Sequence, residues 1–215
     1  MSHGEIPAEV DLLVLGAGAG GMAAALSGAV LGLDVLLVEK SDKVGGTTAR
    51  SAGSAWLPNS RHSPPGSDSF EQALTYLRNA VGNRLNEARA TAFLRAAPEV
   101  VALLEDNTAL KLRAYPHHPD YLAELDGATL AGRVLEPEPF DASVLGGRFE
   151  DLQPPLPEFM LLGGMMVDRA DIRDLMTATS DPAAFGRSLR LLARYAVDRL
   201  RHRRDTRLVM GNALV

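Results

Sequence analysis

The chain contains no cysteine and a single tryptophan, and aromatic residues make up only 5% of its 215 positions. Without thiols there is no disulfide framework, no thiolate zinc or iron–sulfur site and no thiol nucleophile. Charge of neither sign dominates: 22 basic against 27 acidic side chains leave a net charge of −5, which offers no general attraction to nucleic acid or to an anionic membrane. No apolar run reaches the roughly 20 residues that span a bilayer. The opening MSHGEIPAEVDL also lacks the basic start and long apolar stretch of a secretion signal. The expectation is a protein of the cytoplasm with no transmembrane segment and no nucleic-acid partner. What is present is core material: 46% hydrophobic residues over this length suffice for one domain or two small ones.

The strongest pattern lies in the first forty residues. Asp11–Leu15 (DLLVL) is a short, nearly continuous apolar run of the kind that forms a strand buried on both faces of a parallel sheet. It enters Gly16-Ala-Gly18-Ala-Gly20-Gly21 directly, and an Ala/Leu/Val-rich helix from Met22 to Leu31 follows, closed by Gly32. A second strand, Val35–Val38, ends at Glu39. In this strand–turn–helix–strand unit, Gly16 allows the tight turn, Gly18 lets the backbone approach a pyrophosphate, and Gly21 lets the helix pack closely on the sheet. The helix N-terminus offers unpaired N–H groups and a partial positive charge to phosphates. Glu39, eighteen residues beyond Gly21, stands where a carboxylate accepts hydrogen bonds from the ribose hydroxyls of an adenosine and repels a 2′-phosphate. The alternative use of such glycines is simple helix–strand packing.

After Glu39 and Lys40 the chain runs through a small, polar, glycine-rich stretch, with Gly45-Gly46-Thr47-Thr48 followed by Ser51-Ala52-Gly53-Ser54 and then Ala55-Trp56-Leu57-Pro58. It reads as a loop wrapped around a long ligand, or else as a flexible Gly/Ser/Thr connection. The pattern resembles the flavoproteins of the fumarate reductase, succinate dehydrogenase and 3-ketosteroid dehydrogenase superfamily, in which a GG(S/N/T)T segment precedes an SGG- or AGG-like one. The Trp-Leu-Pro ending is most similar to the ketosteroid dehydrogenase branch. The resemblance implies FAD as cofactor, with Gly20 at the pyrophosphate, Glu39 on the adenosine ribose, and Thr47 and Thr48 along the pyrophosphate and ribityl chain. Ala52, Gly53 and Ser54 would lie against the isoalloxazine. Lys40 and Gly46 belong to the same cofactor-binding set. Ser54 and Ala55 stand where glycines are common in that family.

The rest of the chain is less explicit. Residues 59–68 read as a surface connection, and Asp68 with Glu71 as a capping box for an amphipathic helix carrying Phe70, Ala73, Leu74, Leu77 and Val81. Asn86 caps a second helix, which Pro98 should end, beginning a third at Glu99–Asp106. Beyond Thr108 the chain turns irregular. His117 and His118 are adjacent, a poor spacing for one metal ion, so no metal is expected. Tyr121, in Pro119-Asp120-Tyr121 ahead of Asp126-Gly127 and Gly132-Arg133, matches a segment that in the ketosteroid dehydrogenases supplies an active-site tyrosine for the substrate proton. The alternative is a half-buried tyrosine packed under a loop, with Tyr115 as second candidate.

Residues 134–158 read as a proline-rich irregular excursion, on the substrate side of the flavin by resemblance, and Met160–Val167 as an apolar packing run. Asp168 caps a helix over 169–177, and Asp181-Pro182 starts the last one, with Phe185, Leu189, Leu192, Ala196 and Leu200 as its buried stripe. Arg199, Arg201, Arg203, Arg204 and Arg207 read as a solvated basic end. Arg207–Met210 should form a strand, and Gly211–Val215 should open a further helix.

The expected fold is α/β: a Rossmann-like FAD-binding βαβ unit, incomplete, followed by a helical segment and irregular loops. Residues 1–58 would be the N-terminal part of the FAD-binding domain, and residues 59–215 its continuation towards a substrate domain outside this chain. The resemblance makes the chain the N-terminal portion of a longer polypeptide. The whole would be a dehydrogenase acting on a carbon–carbon bond beside a carbonyl in a ketosteroid-like small molecule. A fumarate reductase-like flavoprotein acting on a dicarboxylate, and a catalytically silent FAD-binding fragment or subunit, are the alternatives.

Overall fold

The computed structural model describes residue 7 and residues 9–215, so most of MSHGEIPAEVDL, the opening without the pattern of a secretion signal, lies outside the described residues. β1 (Leu12–Leu15) and β2 (Val35–Val38) pair in parallel, Leu12 opposite Val35 and Leu15 opposite Val38, with α1 (Ala19–Val30) crossing between them. Gly28 lets α1 settle on this pair, since a Cβ there would lie 2.8 Å from Leu12 Cδ2. The strand expected to be buried on both faces is covered on one. Val14 is buried, whereas Leu15 is 76% exposed, because a single crossover helix shields one side of the pair only.

α2 (Phe70–Val81) and α3 (Glu87–Asn107) pack against each other through Ala73, Leu74, Ala90 and Leu94, with Trp56, Phe70, Leu77 and Leu85 around them. The cap of α2 is Ser69, whose side chain accepts from the Gln72 N–H; Asp68 instead turns inward to Arg133. Asn86 caps α3 as expected, accepting from Arg89 N–H. Pro98, however, does not end that helix. Ala90, Leu94, Ala97, Val101 and Leu104 form one buried stripe running past it, and packing on α1 and α2 outweighs the single backbone bond a proline cannot donate.

The region expected to be irregular contains a sheet. β5 (Val134–Pro137) lies between β3 (Ala55–Trp56) and β4 (Leu112–Ala114), antiparallel to both. Leu135 is fully buried there and packs with Val101, Leu112 and Leu57. β6 (Phe140–Asp141) pairs with β9 (Arg207–Leu208), and β7 (Met160–Leu161) with β8 (Met165–Met166). A 3-10 stretch over Ala142–Asp151 is kinked at Gly146.

α4 (Arg169–Thr177) opens on the expected Asp168 cap, completed by Asp171 reaching back to the Asp168 N–H. α5 (Pro182–Arg199) opens on Asp181, but its buried stripe is not the expected one. Ala184 and Ser188 face inward, while Phe185 and Leu189 are exposed and Leu200 is 86% exposed. Small side chains let α5 approach α4 closely, and the bidentate Arg187–Asp174 pair (2.7 and 2.8 Å) fits that register. The basic end is also only partly solvated. Arg199, Arg201 and Arg203 are exposed. Arg204 lies 3.8 Å over the Phe149 ring and Arg207 reaches Asp171 at 2.8 Å, so both tie the last strand to its neighbours. Residues 211–215 open no further α-helix; a 3-10 turn, Met210–Ala213, buries Gly211 and Asn212. No described helix is long and apolar enough to cross a membrane.

Candidate functional site

Leaving β1, the backbone reverses at Gly16, whose φ of +99° suits a residue without a Cβ. Its N–H donates to Val38 O (2.7 Å), so the bend hangs from the end of β2. Gly21 obeys a tighter limit: a Cβ there would lie 1.8 Å from the Gly16 carbonyl oxygen. The side-chain directions of Gly16 and Gly20 meet nothing within 4 Å, and that of Gly18 meets only Thr48 Oγ1 at 3.8 Å. One glycine therefore serves close packing and the other three leave an open face.

That face carries the start of α1, which has no side-chain cap and no acidic residue in its first turn. Its first N–H, on Ala19, donates to Thr48 Oγ1 (3.1 Å). The end of such a helix behaves as roughly half a positive charge, which favours an anionic ligand. Glu39 turns towards the same bend. Its Oε2 accepts from the Ala17 N–H (2.7 Å) and its Oε1 from the Ser41 N–H (3.0 Å). These two bonds, Ala17 first, hold its carboxyl below the usual glutamate range, so it is ionised at neutral pH. Lys40, beside it, is exposed.

The GGTT segment closes over the bend. Gly45 N–H donates to Ala17 O (2.8 Å), and a Cβ on Gly46 would meet Gly18 Cα at 3.6 Å, so the two glycine turns face each other. Thr47 is exposed, and Thr48 is the residue that touches α1. Beneath them lies a support that no local pattern announced. Gly211 N–H donates to Ser51 O (3.1 Å), a Cβ on Gly211 would lie 1.8 Å from Thr48 O, and Asn212 Nδ2 donates to Gln153 O (2.7 Å). Gly53 is packed on the same support, its side-chain direction meeting Met210 C at 2.5 Å. Ala52 is half-buried and Ser54 exposed.

Ser54 leads into a second feature, a cavity of about 220 Å³ walled by Trp56, Tyr76, His118, Asp120 and Tyr121. Trp56 lies 6.1 Å from Tyr76 and stacks on Phe93 at 6.1 Å, giving the cavity an aromatic wall. Tyr121 is 94% exposed at its rim. Tyr115 is engaged elsewhere, under the Arg169 guanidinium at 4.6 Å. Of the residues singled out in the sequence, the glycine bend, Glu39, Gly46 and Thr48 come together, and Ser54 and Tyr121 share the separate cavity.

The donor set suits a dinucleotide diphosphate: open glycine directions, a helix start with no acidic residue in its first turn and no capping side chain on Gly18, and an ionised carboxylate at the neighbouring strand end. The profile of the FAD binding domain family matches residues 11–215. The chain belongs to that family. FAD is thus the cofactor of this domain, in agreement with the open glycine bend at the start of α1.

This FAD binding domain is 37% identical over 206 residues to 4-oxocyclohex-2-ene-1-carboxylate 5-dehydrogenase of Sinomonas cyclohexanicum, a match covering 95% of the chain and 35% of that protein. It is 36% identical over 188 residues to 3-oxosteroid 1-dehydrogenase of Mycobacterium tuberculosis, covering 86% of the chain and 33% of that protein. Among solved structures, 3-ketosteroid delta1-dehydrogenase from Sterolibacterium denitrificans, in complex with 1,4-androstadiene-3,17-dione, superposes with a TM-score of 0.82 at 39% identity, over 95% of this chain and 37% of that one. The domain spans about a third of the length of the curated relatives it matches. The resemblance to the superfamily, read from GGTT, and to its ketosteroid dehydrogenase branch, read from Ala55-Trp56-Leu57-Pro58, agrees with these relatives.

Proposed function

We propose that this chain supplies the FAD-holding part of an oxidoreductase that desaturates a carbon–carbon bond beside a ketone, with a 3-ketosteroid-like ring ketone as the substrate class. In this reading residues 1–58 begin the FAD domain, residues 59–215 continue it, and a substrate domain belongs to the remainder of a longer polypeptide. The observation that carries it is the turning of Glu39 onto the Ala17 N–H at an open glycine bend. The cavity shared by Ser54 and Tyr121 gives it a substrate side.

FAD, when bound, supplies the hydride acceptor. Glu39 holds the adenosine ribose, Gly16, Gly18, Gly20 and Gly46 admit the diphosphate, and Thr47 and Thr48 flank it. Lys40 lies beside the adenosine end, and Ala52, Gly53 and Ser54 border the flavin. With its own proton given up to solvent, the Tyr121 phenol oxygen takes the proton from the carbon next to the carbonyl; the C=C bond forms as the adjacent carbon gives up its hydride, and the wall of Trp56, Tyr76 and Val134 excludes water from a flat apolar ring. A dicarboxylate fits less well. The cavity lining includes no arginine, and Arg133, just behind it, is fully engaged by Asp68 and Asp120.

The test uses the FAD-loaded protein carrying this chain. Anaerobic addition of a 3-ketosteroid should bleach the bound flavin, and Tyr121→Phe should slow bleaching roughly 100-fold with flavin content unchanged. No bleaching by the steroid, with reoxidation of reduced flavin by fumarate, would turn the assignment to a dicarboxylate; a protein that never retains flavin would turn it to a structural subunit.

Glu39 makes a separate prediction. Its lowered pKa means that the contact with Ala17 is complete above the ordinary glutamate range and lost as pH falls through the depressed value. FAD retention should therefore persist through mildly acidic pH and fail below it. Glu39→Gln should weaken FAD about 10-fold at neutral pH, the loss of a charge-assisted hydrogen bond. Equal flavin fluorescence titrations for the two proteins would remove Glu39 from the site.

A further inference from the structure

We propose that Arg133 is a positioning residue for Tyr121, acting through Asp120; this rests on the reading of Tyr121 as the proton-handling group. Tyr121 stands out into solvent, and nothing in its own side chain explains how it would keep one orientation. Its neighbours supply the restraint. Arg133, 0% exposed, donates from Nη1 to Asp120 Oδ2 (2.7 Å) and from Nε and Nη2 to Asp68 Oδ1 (3.1 and 2.7 Å). The other Asp120 oxygen, Oδ1, accepts from Trp56 Nε1 (2.7 Å), and Oδ2 also accepts from the Thr129 N–H (2.9 Å). Asp120 N–H in turn donates to Thr129 O (2.9 Å).

On the far side, Leu122 N–H donates to the Tyr76 hydroxyl (3.3 Å). Tyr121 is therefore held between two anchored residues. Asp68 Oδ2 accepts from Asn59 N–H (2.7 Å), just beyond Pro58, so the same guanidinium joins the Tyr121 turn to the chain leaving the Trp56 wall. Its charge also lies over the Trp56 and Tyr76 rings, at 5.7 and 5.6 Å. A planar fork can bridge two carboxylates in this way, whereas a lysine ammonium is a point donor on a flexible stem.

The experiment is a double-mutant cycle on the FAD-loaded protein carrying this chain, assayed with a 3-ketosteroid. Arg133→Lys should lower kcat per bound flavin by about 10- to 100-fold, the scale of a small misplacement of a reacting group. KM should stay within about 3-fold, since the loss falls on the chemical step. In the Tyr121→Phe background the same change should cost less than about 2-fold, because the group it positions is gone. Full multiplicativity of the two changes, or a normal rate for Arg133→Lys beside an impaired Tyr121→Phe, overturns the positioning role alone. A normal rate for Tyr121→Phe overturns the reading of Tyr121 beneath it. Should Arg133→Lys not fold, Trp56→Phe removes one bond to Asp120 and is judged by the same loss of kcat and the same non-additivity.

Discussion

Gly21→Ala is expected to abolish FAD binding by disrupting the bend, whereas Gly20→Ala is expected to spare the fold and weaken FAD alone. The two residues are adjacent in the same turn of α1, so propensity does not separate them. Their surroundings do. A Cβ on Gly21 would sit 1.8 Å from the Gly16 carbonyl oxygen and 3.0 Å from its carbonyl carbon, and both are backbone atoms that cannot swing aside. The helix would have to lift off the bend, a cost of about 3 kcal/mol or more, at the upper end for overpacked sites. A Cβ on Gly20 meets nothing within 4 Å in the protein and intrudes only into the space assigned to the diphosphate. Thermal melts combined with flavin fluorescence titration should show Gly21→Ala with a lowered Tm and no FAD. Gly20→Ala should keep its Tm and lose roughly 10-fold or more in affinity, as for one displaced charge-assisted contact. Indistinguishable melts for Gly21→Ala and the parent protein would show that α1 does not rest on the Gly16 carbonyl.

Arg133→Met is expected to be the most destabilising single change outside the glycine bend. The Asp68, Arg133 and Asp120 side chains are essentially fully buried, and the arginine is the cation between the two carboxylates. Removing it leaves two carboxylates facing each other without a counter-charge, a loss of about 3–5 kcal/mol for breaking a buried pair. For a domain of this size that is a fall in Tm on the order of 10 °C. Neutralising the partners should reverse much of it, because what costs is the uncompensated charge rather than the absence of the bridge. A triple variant, Asp68→Asn with Arg133→Met and Asp120→Asn, should therefore melt above the single one. Calorimetry showing the triple variant less stable than Arg133→Met would mean that the hydrogen bonds themselves, and not charge balance, hold this cluster.

The parts of the site that could be read from the chain are those whose chemistry is consecutive. Gly16 to Gly21 occupy one bend, Glu39 ends the next strand, and the GGTT loop follows within a few residues; each needs a residue type that its neighbours in sequence select. Helix starts at Asn86, Asp168 and Asp181 were equally legible, because a cap is a bond between residues two or three apart. Legibility failed where a distant partner decided the outcome. Ser69 rather than Asp68 caps α2 because Asp68 is claimed by Arg133, 65 residues away. Pro98 stays inside α3 because a buried stripe spans it, and Val134–Pro137 becomes a central strand because β3 and β4, far apart in sequence, flank it.

The same division runs through the chemistry. The βαβ unit, the glycine bend and the carboxylate at the end of β2 follow from local order, because backbone conformation and hydrogen-bonding reach over a few residues settle them. Tertiary packing alone set Gly21 shut and Gly20 open, and brought Gly211 and Asn212 beneath the loop of residues 45–54. It also decided that Ala184 and Ser188, not Phe185 and Leu189, face inward on α5. Close packing explains the difference: which side of a residue is filled depends on atoms brought there by remote segments, and no local spacing records their arrival.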